Sequence, residues 1–272
     1  MLRLAVRVRR EQAELVLAEL LELAPSGVEE VALGDDIVEY AVYGPPGELP
    51  ALPDLRAAAG GALVEVSTEE IADDWAERWR EFHRPLVLDG RLTVRPPWEP
   101  AGQTPIDLVI DPGRAFGTGA HATTRLCLEL MLELAPGGAF VDLGCGSGVL
   151  AIAAARLGWR PVIALDNDPL AVEAARANAR VNGVEIDVRR HDLRGDPTPS
   201  ARTIAANLLA PLLLSWAPRL TTAPEQLIAS GLLTGEADGV AAAFAAAGLV
   251  GVQRREGGEW AALLLERSPR GS

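Results

Sequence analysis

Four places in the chain combine residue types and spacing that do chemistry. The run Asp142-Leu143-Gly144-Cys145-Gly146-Ser147-Gly148 reads D-x-G-x-G-x-G, between the apolar stretches Phe140–Leu143 and Val149–Leu157. Glycines at a strand-to-helix bend let the backbone approach a ligand closely. The helix behind them offers unpaired N–H groups. A dinucleotide loop would read G-x-G-x-x-G, but Val149 stands where the third glycine belongs. The loop therefore suits a ligand without a pyrophosphate. Asp166 ends the next apolar stretch, Pro161–Leu165, about 20 residues on, where a doubly wound fold places the acid that binds a ribose diol. His191-Asp192-Leu193 follows a third such stretch, and Asp192 is either a turn cap or a polar partner for a ligand. Asn207 follows Thr203–Ala206 and offers an uncharged carbonyl acceptor where a strand end opens into a crevice.

These residues need a sheet to carry them. From Thr123 onward helices and strands alternate, which predicts a doubly wound parallel sheet. Its strands fall at Phe140–Leu143, Pro161–Leu165, Val184–Val188 and Thr203–Ala206, with helices over Val149–Leu157 and from Asp168-Pro169 to Ala179. Asp168 reads as that helix's N-cap, a structural role. The first 67 residues read β-α-β-β-α-β: strands at Leu2–Val8, Val28–Leu33, Ile37–Tyr43 and Ala62–Ser67, helices at Glu11–Leu23 and Leu52–Ala59. That order predicts a ferredoxin-like α+β domain. A helix over Thr68–His83 carries Trp75, Trp79 and Phe82 on one face, and short strands follow at Leu92–Val94 and Leu108–Ile110. The expected division is a domain over 1–67, a linker helix and hinge over 68–100, and a second domain over 101–272.

Composition narrows the class. With 49% apolar residues in 272 and a mean hydropathy of +0.14, the chain buries a substantial core. No apolar stretch reaches the ~20 residues of a membrane span. The N-terminus scatters arginines without an apolar leader, so the expected location is the cytoplasm. Cys127 and Cys145 are too few for a disulfide framework. His83, His121 and His191 lack metal-ligand spacing, so no metal is expected. The net charge of −13 disfavours a nucleic-acid partner and suits a cationic one. All 25 basic residues are arginine.

The glycine run resembles motif I of the Rossmann-like, class I methyltransferases, which use S-adenosyl-L-methionine. The segment Asp111-Pro112-Gly113-Arg114-Ala115-Phe116-Gly117-Thr118-Gly119-Ala120-His121-Ala122-Thr123-Thr124 is narrower. It resembles the P-G-x-A-F-G-T-G-x-H-x-T-T signature of the ribosomal protein L11 methyltransferases, the PrmA family. Asn207-Leu208-Leu209-Ala210, Ser230-Gly231-Leu232-Leu233 and Glu259-Trp260 match further segments of that family. The resemblance implies a protein (lysine) N-methyltransferase acting on amines of ribosomal protein L11. It implies that Asp142 lies near the methionine amino group, and that Gly144, Gly146 and Asp166 hold the cofactor. Asp192 would sit beside the adenine, Phe116 and Thr118 in a loop over the methyl group, and Thr124 and Asn207 in contact with the cofactor or its reacting end, with Asn207 catalytic. His121 is left as either a base or a residue that fixes the loop. Enzymes that methylate planar amides carry an N-P-P-Y type motif; Leu208, Leu209 and Ala210 replace it here, which favours an aliphatic amine. Two alternatives stay open: a protein-lysine methyltransferase with another target, such as an electron-transfer flavoprotein subunit, and a non-catalytic cofactor-binding ribosomal assembly factor.

Overall fold

The structure, a computed structural model, describes residues 2–13, 16–17, 20, 28–33, 36–44, 49–50, 53, 55, 59–70, 84–111 and 121–268. The chain divides into two compact units, Met1–Phe82 and His83–Ser272.

In the first unit β1 (Leu2–Arg9), β2 (Glu29–Leu33), β3 (Ile37–Gly44) and β4 (Leu63–Glu70) form an antiparallel sheet in the order β2-β3-β1-β4. This is the split arrangement of the ferredoxin-like fold. Period-two alternation sends Leu4, Val6 and Val8 into the core. On β1 it leaves Arg3 and Arg7 to pair with the buried Glu39 of β3, at 2.5 and 2.7 Å. Ala13, Val16, Leu17 and Leu20 are helical and pack on the same core at i, i+3, i+4, i+7.

The second unit holds two sheets. Strands β5 (Leu86–Leu88), β6 (Leu92–Arg95) and β7 (Ile106–Val109) make the smaller one. The larger comprises β8 (Phe140–Leu143), β9 (Val162–Asp166), β10 (Asp187–Arg190), β11 (Thr203–Asn207), β12 (Gln226–Leu233), β13 (Leu249–Gly257) and β14 (Trp260–Arg267). Their order is β10-β9-β8-β11-β12-β14-β13, and β14 runs antiparallel to both its neighbours. Helices α1 (Ala122–Glu133), α2 (Val149–Leu157) and α3 (Pro169–Val181) share one core cluster, while α4 (Ala210–Trp216) and α5 (Ala237–Ala246) share the other. The central strands are buried on both faces: Ile204 and Ala206 of β11 join the second cluster and Ala205 the first. This is the expected doubly wound class I fold. The chain reverses its progression between β8 and β11, so the crevice opens beyond their carboxyl ends.

Three expectations need correction. Thr68–Glu70 is strand, because β4 stays paired with β1 as far as Leu2↔Glu70; residues 71–83, with Trp75, Trp79 and Phe82, lie outside the described residues. Residues 86–95 are no hinge: they form a hairpin around Asp89-Gly90 inside the second unit, with Leu88, Leu92 and Val94 in its core. The third strand of the large sheet begins at Asp187 and not Val184, whose N–H is still bonded to the Ala179 carbonyl at the end of α3.

Candidate functional site

At the end of β9 both carboxylate oxygens of Asp166 hold backbone. Oδ2 accepts the Gly146 N–H at 2.8 Å, and Oδ1 accepts the Asp168 N–H at 3.0 Å. A carboxylate has about four acceptor sites, so each oxygen keeps capacity for a hydroxyl. The Gly144 and Cys145 N–H groups bond the Leu165 carbonyl, which ties the glycine loop to β9. Asp168 caps α3 by accepting from Leu170, as its sequence position predicts.

Asp142 lies beneath this loop at 1% exposure. Its Oδ2 accepts the Ala151 N–H at 3.0 Å, while Oδ1 is buried with no partner among the described residues. Burial pushes the carboxyl up to about 7, Ala151 opposes the rise, and the Asp166 charge adds to it. An ionised Asp142 is thus half-satisfied, and a cationic donor at Oδ1 would complete it.

A cleft open to solvent lies at the carboxyl end of β9. Gly144, Asp166, Asp192 and Leu208 help to line it. Asp192 both faces the cleft and caps a turn, accepting the Arg194 N–H at 3.0 Å. His191 also lines the cleft, and its Nε2 is buried without a partner among the described residues. The sequence marked His191 only by its place before Asp192.

Across the switch point Asn207 ends β11, where Nδ2 donates to Thr124 Oγ1 at 3.4 Å. Its side-chain carbonyl makes no hydrogen bond with a described residue. Thr124 is fully buried in the first turn of α1. The Leu208 N–H bonds the Ser230 carbonyl at 2.9 Å. A Cβ on Gly231 (φ +81°) would fall 2.5 Å from the Leu208 carbonyl oxygen, so glycine alone leaves that peptide in place. A Cβ on Gly144 (φ +69°) would collide with the Leu208 side chain. Ser230, which the sequence did not single out as a site residue, is buried and donates towards the Thr123 and Ala261 carbonyls.

His121 has a structural role at the start of α1. It is the N-cap of α1: Nδ1 accepts the Thr123 N–H at 3.4 Å and lies 2.8 Å from Thr123 Oγ1. Its ring packs edge-on to Trp260 at 4.9 Å, and burial lowers its pKa against an opposing Glu259. Phe116 and Thr118 lie outside the described residues. The structure therefore gathers Gly144, Gly146, Asp142, Asp166 and Asp192 on the β8–β10 side, and Thr124 with Asn207 on the β11 side.

A family model described as "Ribosomal protein L11 methyltransferase (PrmA)" matches residues 54–268. A ribosomal protein L11 methyltransferase of Pelotomaculum thermopropionicum is 43% identical over 212 residues, 75% of this chain and 69% of that one. One from Pseudomonas aeruginosa is 44% identical over 207 residues, 73% of this chain and 70% of that one. The crystal structure of a ribosomal protein L11 methylase from Lactobacillus delbrueckii subsp. bulgaricus superposes with a TM-score of 0.62 at 30% identity, covering 69% of this chain and all of that chain. Together with the switch-point crevice, these matches show that the chain belongs to the ribosomal protein L11 methyltransferase family.

Proposed function

We propose that the protein transfers methyl groups from S-adenosylmethionine to amines of ribosomal protein L11, on lysine side chains and on the N-terminal α-amine. The observation that carries this reading is the pinned carboxamide of Asn207: Thr124 occupies its donor side and leaves its carbonyl for a substrate. The residues present fit the cofactor. The unpartnered Oδ1 of Asp142 suits the methionine ammonium, the spare acceptor capacity of Asp166 the ribose diol, and Asp192 the adenine edge.

When bound, the cofactor supplies a methyl group activated on a sulfonium. The protein's task is to present a neutral amine in line with it. Deprotonating a lysine of reference pKa ≈ 10.4 at pH 7 costs about 4.6 kcal/mol, and an α-amine near 7.7–8.0 about 1. The Asn207 side-chain carbonyl and the Leu208 backbone carbonyl accept the amine's remaining hydrogens and aim its lone pair. Neither bears a charge that would favour the ammonium form. Alignment supplies much of the acceleration, so no side-chain base is required. The capping role of His121 accords with that.

We assign substrate choice to the first unit and cofactor binding to the second, and place the reaction in the cytoplasm. No helix among the described residues is long and apolar enough to cross a membrane. The two alternatives, another lysine-bearing target or a non-catalytic assembly factor, are not favoured by the relatives' names, and the oriented Asn207 speaks against a dead site. The test is incubation of the protein with methyl-labelled cofactor and purified L11. Label in L11 is expected from the full chain, and little from a fragment over 83–272 that still binds cofactor. Absence of label with the folded full chain would overturn the reading.

A further inference from the structure

We infer that Asn178 is a positioning residue for the cofactor, its carboxamide tying the glycine loop to the backbone at Asp111. The inference rests on the reading of residues 144–148 as the cofactor loop. Asn178 and Asn182 stand one turn apart on the same face of α3 and its C-cap, at 2% and 8% exposure. They meet β7, which lies at the edge of the three-stranded sheet. Ile106 and Ile110 donate across to the carbonyls of Arg91 and Arg95, so the alternate residues Val109 and Asp111 face away from β6. No further strand of this sheet pairs with that side of β7 among the described residues.

The two asparagines take the place of the missing strand. Asn182 Oδ1 accepts the Val109 N–H at 2.9 Å, and its Nδ2 donates to the Val109 carbonyl at 2.7 Å. Asn178 Oδ1 accepts the Asp111 N–H at 3.0 Å, and its Nδ2 donates to the Asp111 carbonyl at 3.4 Å. The residues differ in their remaining bond. Asn182 donates back to the Asn178 carbonyl at 2.8 Å, within its own helix. Asn178 instead donates to the Ser147 carbonyl at 2.9 Å. Ser147 is fully buried and follows Gly146, whose N–H is held by Asp166. Asn178 thus fixes the Ser147–Gly148 peptide of the same loop whose Cys145–Gly146 peptide bonds the Asp166 carboxylate. Asn182 braces the same strand without touching the loop.

That difference separates positioning from stability. Asn178→Ala removes all three bonds of the carboxamide and is expected to weaken S-adenosylhomocysteine binding about tenfold. It should raise KM for the cofactor with kcat near wild type. Asn178→Asp keeps an acceptor for Asp111 but cannot donate to Ser147, so it should bind as weakly, and either variant suffices if the other does not fold. Asn182→Ala should lower the melting temperature comparably with unchanged affinity. Calorimetry with S-adenosylhomocysteine, thermal melts and steady-state kinetics read these outcomes. Wild-type affinity in a folded Asn178 variant, or equal losses of affinity at both asparagines, would overturn the inference. Failure of the wild-type protein to bind S-adenosylhomocysteine would overturn the cofactor reading and this inference with it.

Discussion

At the ends of β8 and β9 stand two carboxylates, Asp142 fully buried and Asp166 lining the cleft while it holds the backbone of the loop. The end of β11 carries instead a neutral carboxamide, that of Asn207, bonded through its nitrogen to a buried threonine hydroxyl. The charged side suits a ligand with an ammonium and a diol, whose binding gains from acceptors in a low-dielectric site. The neutral side suits a nucleophile that must shed a proton, since a carboxylate there would hold the amine in its ammonium form. On the proposed reading, the fold separates binding by charge from alignment by dipole across a single topological switch.

The largest effect is expected on the charged side. Asp166→Ala should weaken cofactor binding by about 1.5–3 kcal/mol, or roughly 10–150-fold in Kd. Calorimetry with S-adenosylhomocysteine checks this; unchanged affinity in a folded variant would remove Asp166 from the site.

The neutral side should respond in rate and not in affinity. Asn207→Ala should slow single-turnover methyl transfer by at least ~10-fold, about 1.4 kcal/mol in the barrier, with cofactor affinity retained. Asn207→Asp should shift the onset of activity to higher pH, because its charge stabilises the protonated amine. Wild-type rate and pH dependence in both variants would make Asn207 a structural residue and dissolve the contrast.

The smallest effect sharpens the contrast within the charged side. Burial raises the Asp142 carboxyl to about 7 in the folded chain, against a reference near 3.9 unfolded. The folded state therefore holds the proton more tightly. Stability from this group is fully present below about pH 4 and is lost as pH rises through about 7. Asp142→Asn should raise the melting temperature of the ligand-free protein at pH 8 by at least ~2 °C, with the gain vanishing towards pH 4. The same change should weaken the cofactor's hold at pH 8 several-fold, by loss of a charged acceptor. Wild-type affinity should itself fall as pH drops below 7. A destabilised Asp142→Asn protein at pH 8 would show that Oδ1 already has a partner.

Much of the candidate site around β8 and β9 was legible because its groups are close in sequence. The D-x-G-x-G-x-G run, the acid after β9 and the Asp168 cap all act within one β-α-β unit, where spacing fixes direction. The signals failed where a choice depended on distant packing. Thr68–Glu70 reads as a helix start, but pairing with β1 keeps it in strand. The stretch 68–100 reads as a linker helix and hinge, yet Leu88, Leu92 and Val94 within it join the core of the second unit. Val184 fits a strand by its β-branching and is held instead by the last turn of α3. Asn178 and Asn182 carry no local signal, since an asparagine on a helix usually faces water.

The sequence by itself determined the periodicities, the glycine bend, and which carboxylate and carboxamide stand at strand ends, because these follow from local backbone geometry. Only the tertiary structure decided that Asn207 is pinned by Thr124, 83 residues earlier, that Asp142 is buried with one oxygen unmatched, and that Asn178 spans Ser147 and Asp111. Such contacts join segments remote in the chain. Their worth comes from exclusion of water, which no spacing of residue types encodes.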